Sequence, residues 1–262
     1  MYNSIQELET FYDSEIGKVV QSILARRVEK LWPDLHDYRV LGCGYSVPYL
    51  APYLGKAERV IAMMPERQGV RAWPKNSKNL VMTCRESRMP IENVSIDRAL
   101  LVHHLECCDH LKDSLREIWR VLKPNGRVLI IVPNRVGFWA RADLLPFGRG
   151  HPFTMAQALF CLRDNLLVPE HYESALFVPP LPDSPVMMRF ANVIERIGHK
   201  VFPFVAGVHI IECSKQVYAK IDNTGSGSAV FEKTKGILAG KPVPTSLKSY
   251  RIKTGHQVDY LD

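Results

Sequence analysis

The chain has 262 residues, of which 46% are hydrophobic, and carries 34 basic against 27 acidic side chains for a formal net charge of +7. That apolar share supplies a core and excludes global disorder, while the modest, scattered positive charge argues against a nucleic-acid partner. No apolar run reaches the ~18 residues of a membrane span.

Six cysteines, Cys43, Cys84, Cys107, Cys108, Cys161 and Cys213, sit mostly in apolar runs. They lack a disulfide-framework spacing, as expected of reduced thiols in a cytoplasmic protein. Glu7, Glu9, Asp13 and Glu15 place acid where a targeting segment carries base.

Ile5, Leu8, Tyr12, Ile16, Val19, Ile23 and Val28 recur near a 3.6-residue period. They predict one helix from about Ile5 to Trp32, ended by Pro33, so that residues 1–33 form an N-terminal helical cap. Tyr38–Leu41 reads as a first strand, Gly42-Cys43-Gly44-Tyr45-Ser46 as a turn and Tyr49–Leu54 as a short helix. Arg59–Met64, Leu80–Cys84 and Asp97–Val102 read as three further strands, the last followed by a helix. Leu115, Ile118, Trp119 and Leu122 share one helical face. Lys123-Pro124-Asn125-Gly126 then stops that helix and reverses the chain, and Val128–Val132 has the unbroken apolar character of a strand covered on both faces.

After Pro133 the pattern loosens. Gly137, Pro146, Gly148, Gly150 and Pro152 punctuate a loop from Asn134 to Phe153. Thr154–Leu166 is expected to be a helix capped by Thr154, Leu176–Val178 a strand, Val186–Ile197 a helix and Val208–Ala219 a long final strand. Gly225-Ser226-Gly227-Ser228 marks the onset of a flexible tail, 221–262, with a partner-docking peptide as the rival reading. Strands alternating with crossovers predict an α/β domain over 34–220, doubly wound on a mostly parallel sheet.

The stretch LREIWRVLKPNGRVLIIVP, Leu115–Pro133, resembles the "REI-RVLKPGG-LLI" segment of class I S-adenosylmethionine-dependent methyltransferases of the type 11 group. DRALLVHHLECCD, Asp97–Asp109, resembles their "fD-vl-s-hvLeHv-d" segment. The resemblance covers Val40–Pro133 and extends less specifically to about Ala219. The stretch VPNRVGFWAR…PFG is similar to a bacterial subset with unassigned substrates. This implies a Rossmann-like seven-stranded sheet with an antiparallel C-terminal hairpin. It also implies S-adenosylmethionine as cofactor and methyl transfer to an unidentified small-molecule, lipid or protein acceptor.

The resemblance assigns the cofactor to Gly42, Cys43 and Gly44 in the first loop, Met64 after the second strand, Arg85 and Glu86 after the third, and Val102 after the fourth. Several of these depart from the family pattern. Ser46 stands at the third glycine, and Val40 where an acid precedes the loop. Met64 replaces the carboxylate that accepts from the ribose hydroxyls, with Glu66 two residues on. Arg85 takes the acidic position near the adenine, beside Glu86.

His103 falls where donor and acceptor would meet and could orient the acceptor or take its proton. Asn134, Arg135 and Trp139 are expected to line the acceptor pocket, in a loop that also holds Arg141, Phe147, Arg149 and His151. His103, His104, Cys107, Cys108 and His110 have metal-ligand character. No second separated pair accompanies them, so no metal is expected. The departures at Val40, Ser46, Met64 and Arg85 support a second reading, a catalytically decayed binding or assembly protein on the same scaffold.

Overall fold

The computed structural model of the chain describes residues 3–180, 190–191, 193–198 and 205–217. The expected 221–262 tail and the first residues of the Val186–Ile197 helix lie outside them; residues 190–191 and 193–198 are helical.

The single N-terminal helix expected from periodicity is two helices, α1 (Ile5–Asp13) and α2 (Glu15–Leu31). Ser14 separates them. Its extended backbone (φ −70°, ψ 160°) lets its hydroxyl cap α2 by accepting from the Gly17 N–H, while its own N–H closes α1 on the Phe11 and Thr10 carbonyls. Both halves keep the same apolar period, so periodicity alone hides the break. Gly17 permits it, because a Cβ there would lie 1.8 Å from the Phe11 carbonyl oxygen.

The sheet is built from β1 (Arg39–Gly44), β2 (Arg59–Pro65), β3 (Val81–Cys84), β4 (Ile96–Val102), β5 (Leu122–Pro133), β6 (Leu167–Ala175) and β7 (Val208–Lys215). Its order is β3-β2-β1-β4-β5-β7-β6, parallel except that β7 runs antiparallel to both β5 and β6. The crossovers carry α3 (Val47–Leu50), α4 (Leu111–Val121) and α5 (Met155–Asp164). This is the doubly wound α/β sheet with an antiparallel C-terminal hairpin.

Four local expectations are corrected. Gly42-Cys43-Gly44 is strand, paired with Ala62–Met63 and with Leu100–Val102 on its two sides. Lys123–Gly126 is not the turn expected between helix and strand: α4 ends at Val121, Leu122 already pairs with Ile96, and the next pair is Arg127 with Arg98, so the four residues bulge out of β5. Asn125 takes φ +64° at the bulge. Leu176–Val178 leaves the ladder, because Leu176 adopts φ +67° and the N–H groups of Leu176 and Phe177 donate to the Glu195 carboxylate at 2.9 and 2.7 Å. The strand beside β7 is instead β6. Its Pro169 disguised it, and Pro169 sits at a bulge on the sheet edge, where a missing N–H costs no ladder bond.

Alternation along the strands feeds two clusters. Val40, Met64, Leu100, Val102, Leu129, Ile131 and Ile210 pack with the buried faces of α1 and α2. Leu41, Cys43, Met63, Leu101, Val128, Ile130 and Ile211 pack with α4 and α5. Leu115, Ile118 and Val121 of α4 are fully buried, each contributing roughly 1.5–3 kcal/mol. Buried Glu212 is held by the Trp32 indole N–H and by Arg127, each at 2.8 Å. Among the described residues no helix is long and apolar enough to cross a membrane.

Candidate functional site

In open parallel sheets of this kind ligands bind outside the carboxyl ends of the strands. Here α1 crosses the carboxyl ends of β1, β2 and β4. The bend after β1 needs glycine for close packing of the chain on itself. Gly44 has φ +77°, and a Cβ on it would lie 2.2 Å from the Val102 carbonyl oxygen. Tyr45 donates its N–H to that same carbonyl at 2.8 Å. A Cβ on Gly42 would meet the Ser46 hydroxyl at 2.0 Å and Leu50 at 2.5 Å. Cys43 and Val102 are buried strand residues in the two core clusters.

His103 leaves β4 with φ +51°, a conformation few non-glycine residues adopt. The helix expected directly after β4 is replaced by turns up to His110, and α4 begins only at Leu111. His103 is buried between Tyr12 and Phe147, with ring centroids 5.9 and 4.4 Å away. Its Nε2 lies 3.0 Å from the Tyr12 hydroxyl, which in turn meets the Tyr49 hydroxyl at 3.1 Å. Burial pushes both phenols well above their ordinary range. Nδ1 of His103 lies 3.5 Å from Oε1 of the fully buried Glu106.

Polar atoms are left unsatisfied around this point. Both Glu106 oxygens, His103 Nδ1, Asn3 Oδ1, Ser46 Oγ and both amide atoms of Gln68 are buried without a hydrogen bond. The Gln68 carbonyl accepts from the Ile5 N–H at 2.8 Å, which sets it against the start of α1. Sequence reasoning missed Tyr12, Gln68 and Glu106. Tyr12 occupies a core position of an amphipathic helix, and only the charge of Glu106 amid Leu105 and Cys107 marked it.

The other expected site residues are dispersed. Met64 is buried and packs in the α1–α2 cluster. Arg85 is exposed and pairs with Glu66 at 3.3 Å, and with Glu86 it lines a small polar cavity of about 350 Å³ that reaches Arg67 and Asp109.

Asn134, Arg135 and Trp139 do not form one acceptor pocket. Trp139 is buried and donates its indole N–H to the Val178 carbonyl at 2.7 Å, so it serves the core. The Asn134 amide donates to the Ala206 carbonyl at 2.8 Å, and Arg135 is exposed. A groove of about 990 Å³ lies instead between α1 and the 144–149 loop, with Phe11, Leu144 and Pro146 on its walls and Arg67 and Arg149 at its rim. Phe11 and Phe147, 6.3 Å apart, stand between that groove and His103. His104 bonds the Ser114 hydroxyl at 2.9 Å, and among the described residues no group of three or more His, Cys, Asp or Glu could hold a metal ion.

Residues 40–130 match the family model described as a methyltransferase domain, of the type 11 group. No curated protein matches the sequence. Among solved structures, an S-adenosylmethionine-dependent methyltransferase of Thermotoga maritima is 17% identical with a TM-score of 0.56, over 81% of this chain and 96% of that one. A second, from Archaeoglobus fulgidus, is 16% identical with a TM-score of 0.56, over 79% and 97%. A geranyl diphosphate C-methyltransferase of Streptomyces coelicolor, solved with Mg2+, geranyl diphosphate and S-adenosyl-L-homocysteine, is 16% identical with a TM-score of 0.51, over 73% and 79%. These likenesses show the fold. Residues 40–130 are thus similar to methyltransferase domains of the type 11 group.

Proposed function

We propose that this chain, a type 11 methyltransferase by its central domain, takes its methyl group from S-adenosylmethionine, bound beneath α1. The observation that carries this reading is the set of buried, unpartnered polar atoms on Asn3, Ser46, Gln68, His103 and Glu106 at the carboxyl ends of the central strands. Each such atom costs about 1–3 kcal/mol when left unmade. A polar cationic ligand answers that set: Glu106 would face its positive charge, and Gln68 and Ser46 its hydrogen-bonding edges.

S-adenosylmethionine supplies a methyl group already activated on a sulfonium. The protein's part is then alignment and exclusion of water. Burial of His103 between Tyr12 and Phe147 fixes its ring, and from there it orients the acceptor or takes its proton. The groove beside Phe11 and Phe147 is where an acceptor would approach, as a small molecule, lipid or protein group.

A second reading, a decayed methyltransferase that serves as a binding scaffold, is favoured by Met64, which cannot accept from a ribose. It is favoured also by the two glycines, whose open sides are filled by Ser46, Leu50 and Val102. Equilibrium dialysis of the full chain against radiolabelled S-adenosylmethionine separates the two. Stoichiometric retention supports the enzyme, and no retention at high micromolar ligand overturns it in favour of the scaffold.

A further inference from the structure

A separate cavity of about 540 Å³ lies beyond the carboxyl end of β5, beside the start of α5. Val136, Met155, Tyr172 and Phe177 give it apolar walls, and Ser174 and His209 a polar floor. His209 alternates with Val208 and Ile210, which pack on the α1–α2 side of the sheet, so its ring is directed to the α5 side. It is only 5% exposed. Its Nδ1 lies 3.2 Å from the Ser174 hydroxyl, directly across the β6–β7 ladder, and its Nε2 is buried with no partner.

Burial holds this imidazole down at about 4, so it is neutral near pH 7. In the tautomer in which the serine hydroxyl donates to Nδ1, the ring proton is on Nε2 and free for a ligand. The ten-residue helix α5 begins at the same cavity. Thr154 occupies the Gln157 N–H, while the N–H groups of Met155 and Ala156 have no acceptor within the helix. Met155, Ala156 and His209 thus line one cavity at a helix end that favours negative charge. Glu173 also borders the cavity; its Oε2 is paired with Arg27 at 3.2 Å and its Oε1 is buried without a hydrogen bond.

We propose that this cavity binds an organic acid, its carboxylate on the Met155 and Ala156 N–H groups and His209 Nε2 and its apolar body against Val136, Met155, Tyr172 and Phe177. The site lies away from the strand ends assigned to the methyl donor and does not depend on that assignment.

The test is a titration of the 15N-labelled full chain with sodium hexanoate, with 1-hexanol as the uncharged control. The Met155 and Ala156 amide signals and the His209 ring signals should shift saturably, with hexanol binding about tenfold more weakly. Met155→Pro removes one donor at the helix position that best accepts proline, after a Thr154 already extended at φ −77°, ψ 157°. It should weaken hexanoate at least about threefold. If that variant fails to fold, Ser174→Ala, which frees Nδ1, should weaken it likewise. Non-saturating shifts, equal affinity for hexanol, shifts confined to residues under α1, or full affinity in the folded variants would each overturn the proposal.

Discussion

The Nδ1 atom of His103 stands 3.5 Å from Glu106, a carboxylate sealed in the interior with neither oxygen hydrogen-bonded. An arrangement that costs stability in the free chain and sits at the centre of the site is consistent with a group reserved for a ligand. Glu106→Gln should therefore raise the unfolding free energy of the ligand-free chain, by about 1–3 kcal/mol in urea titrations, while weakening S-adenosylmethionine at least about tenfold. Loss of stability together with unchanged ligand binding would make Glu106 a structural partner of His103.

Met64, the penultimate residue of β2, stands where the resemblance places a carboxylate, and it is buried against the α1–α2 cluster. Met64→Asp should tighten S-adenosylmethionine several-fold by offering the ribose an acceptor. The same change should lower the melting temperature of the free chain, because it buries a charge without a partner. Calorimetry and thermal denaturation read the two effects separately. Weaker binding in a folded variant would show that the ribose does not lie at this strand end.

The break between α1 and α2 rests on Gly17, where any Cβ would collide with the Phe11 carbonyl at 1.8 Å. Gly17→Ala should destabilise the chain by about 2–4 kcal/mol, although alanine is the better helix former by roughly 1 kcal/mol. Faster amide exchange should be concentrated in residues 5–13. A stabilised variant would mean that the two helices can fuse without loss.

Much of the scaffold was legible because its signals are local. The α4–β5 segment declares itself through one apolar helical face, a Pro-Asn-Gly interruption and an apolar run. The alternation of strands and crossovers then gives the mostly parallel, doubly wound sheet. What stayed hidden depends on contacts distant in sequence. Ser14 splits a helix without disturbing its period, Pro169 makes an edge strand look like a loop, and Leu176 is drawn out of the sheet by Glu195. In the site, Gly44 closes β1 and His103 follows β4. Trp139 spends its indole N–H on the Val178 carbonyl inside the core, whereas Asn134, bonded to the Ala206 carbonyl, borders the cavity beside α5. Tyr12 and Gln68 reach the site only through the packing of α1, which no single motif encodes.

Two buried histidines set the acid limit of the fold. Burial lowers His104 and His209 to about 4 from the ordinary 6.5. Between those values the unfolded chain binds protons that the folded chain refuses. The stability from keeping the rings neutral is therefore complete above pH 6.5 and lost as pH falls towards 4. The two together should cost several kcal/mol across that window, at roughly 1.4 kcal/mol per pH unit for each. Urea denaturation at pH 7 and pH 4.5 measures it. His104→Asn should remove about half of the decline, whereas an unchanged slope in that variant would place the loss on other groups.

The central claim is that the buried face of α1 covers a methyl-donor site, and calorimetric titration of the full chain with S-adenosylmethionine, repeated on Glu106→Gln, tests it most directly. Saturable one-to-one binding in the micromolar range, weakened at least about tenfold in the variant, is the expected result. Absence of heat at high micromolar ligand, or equal binding by both proteins, would contradict it.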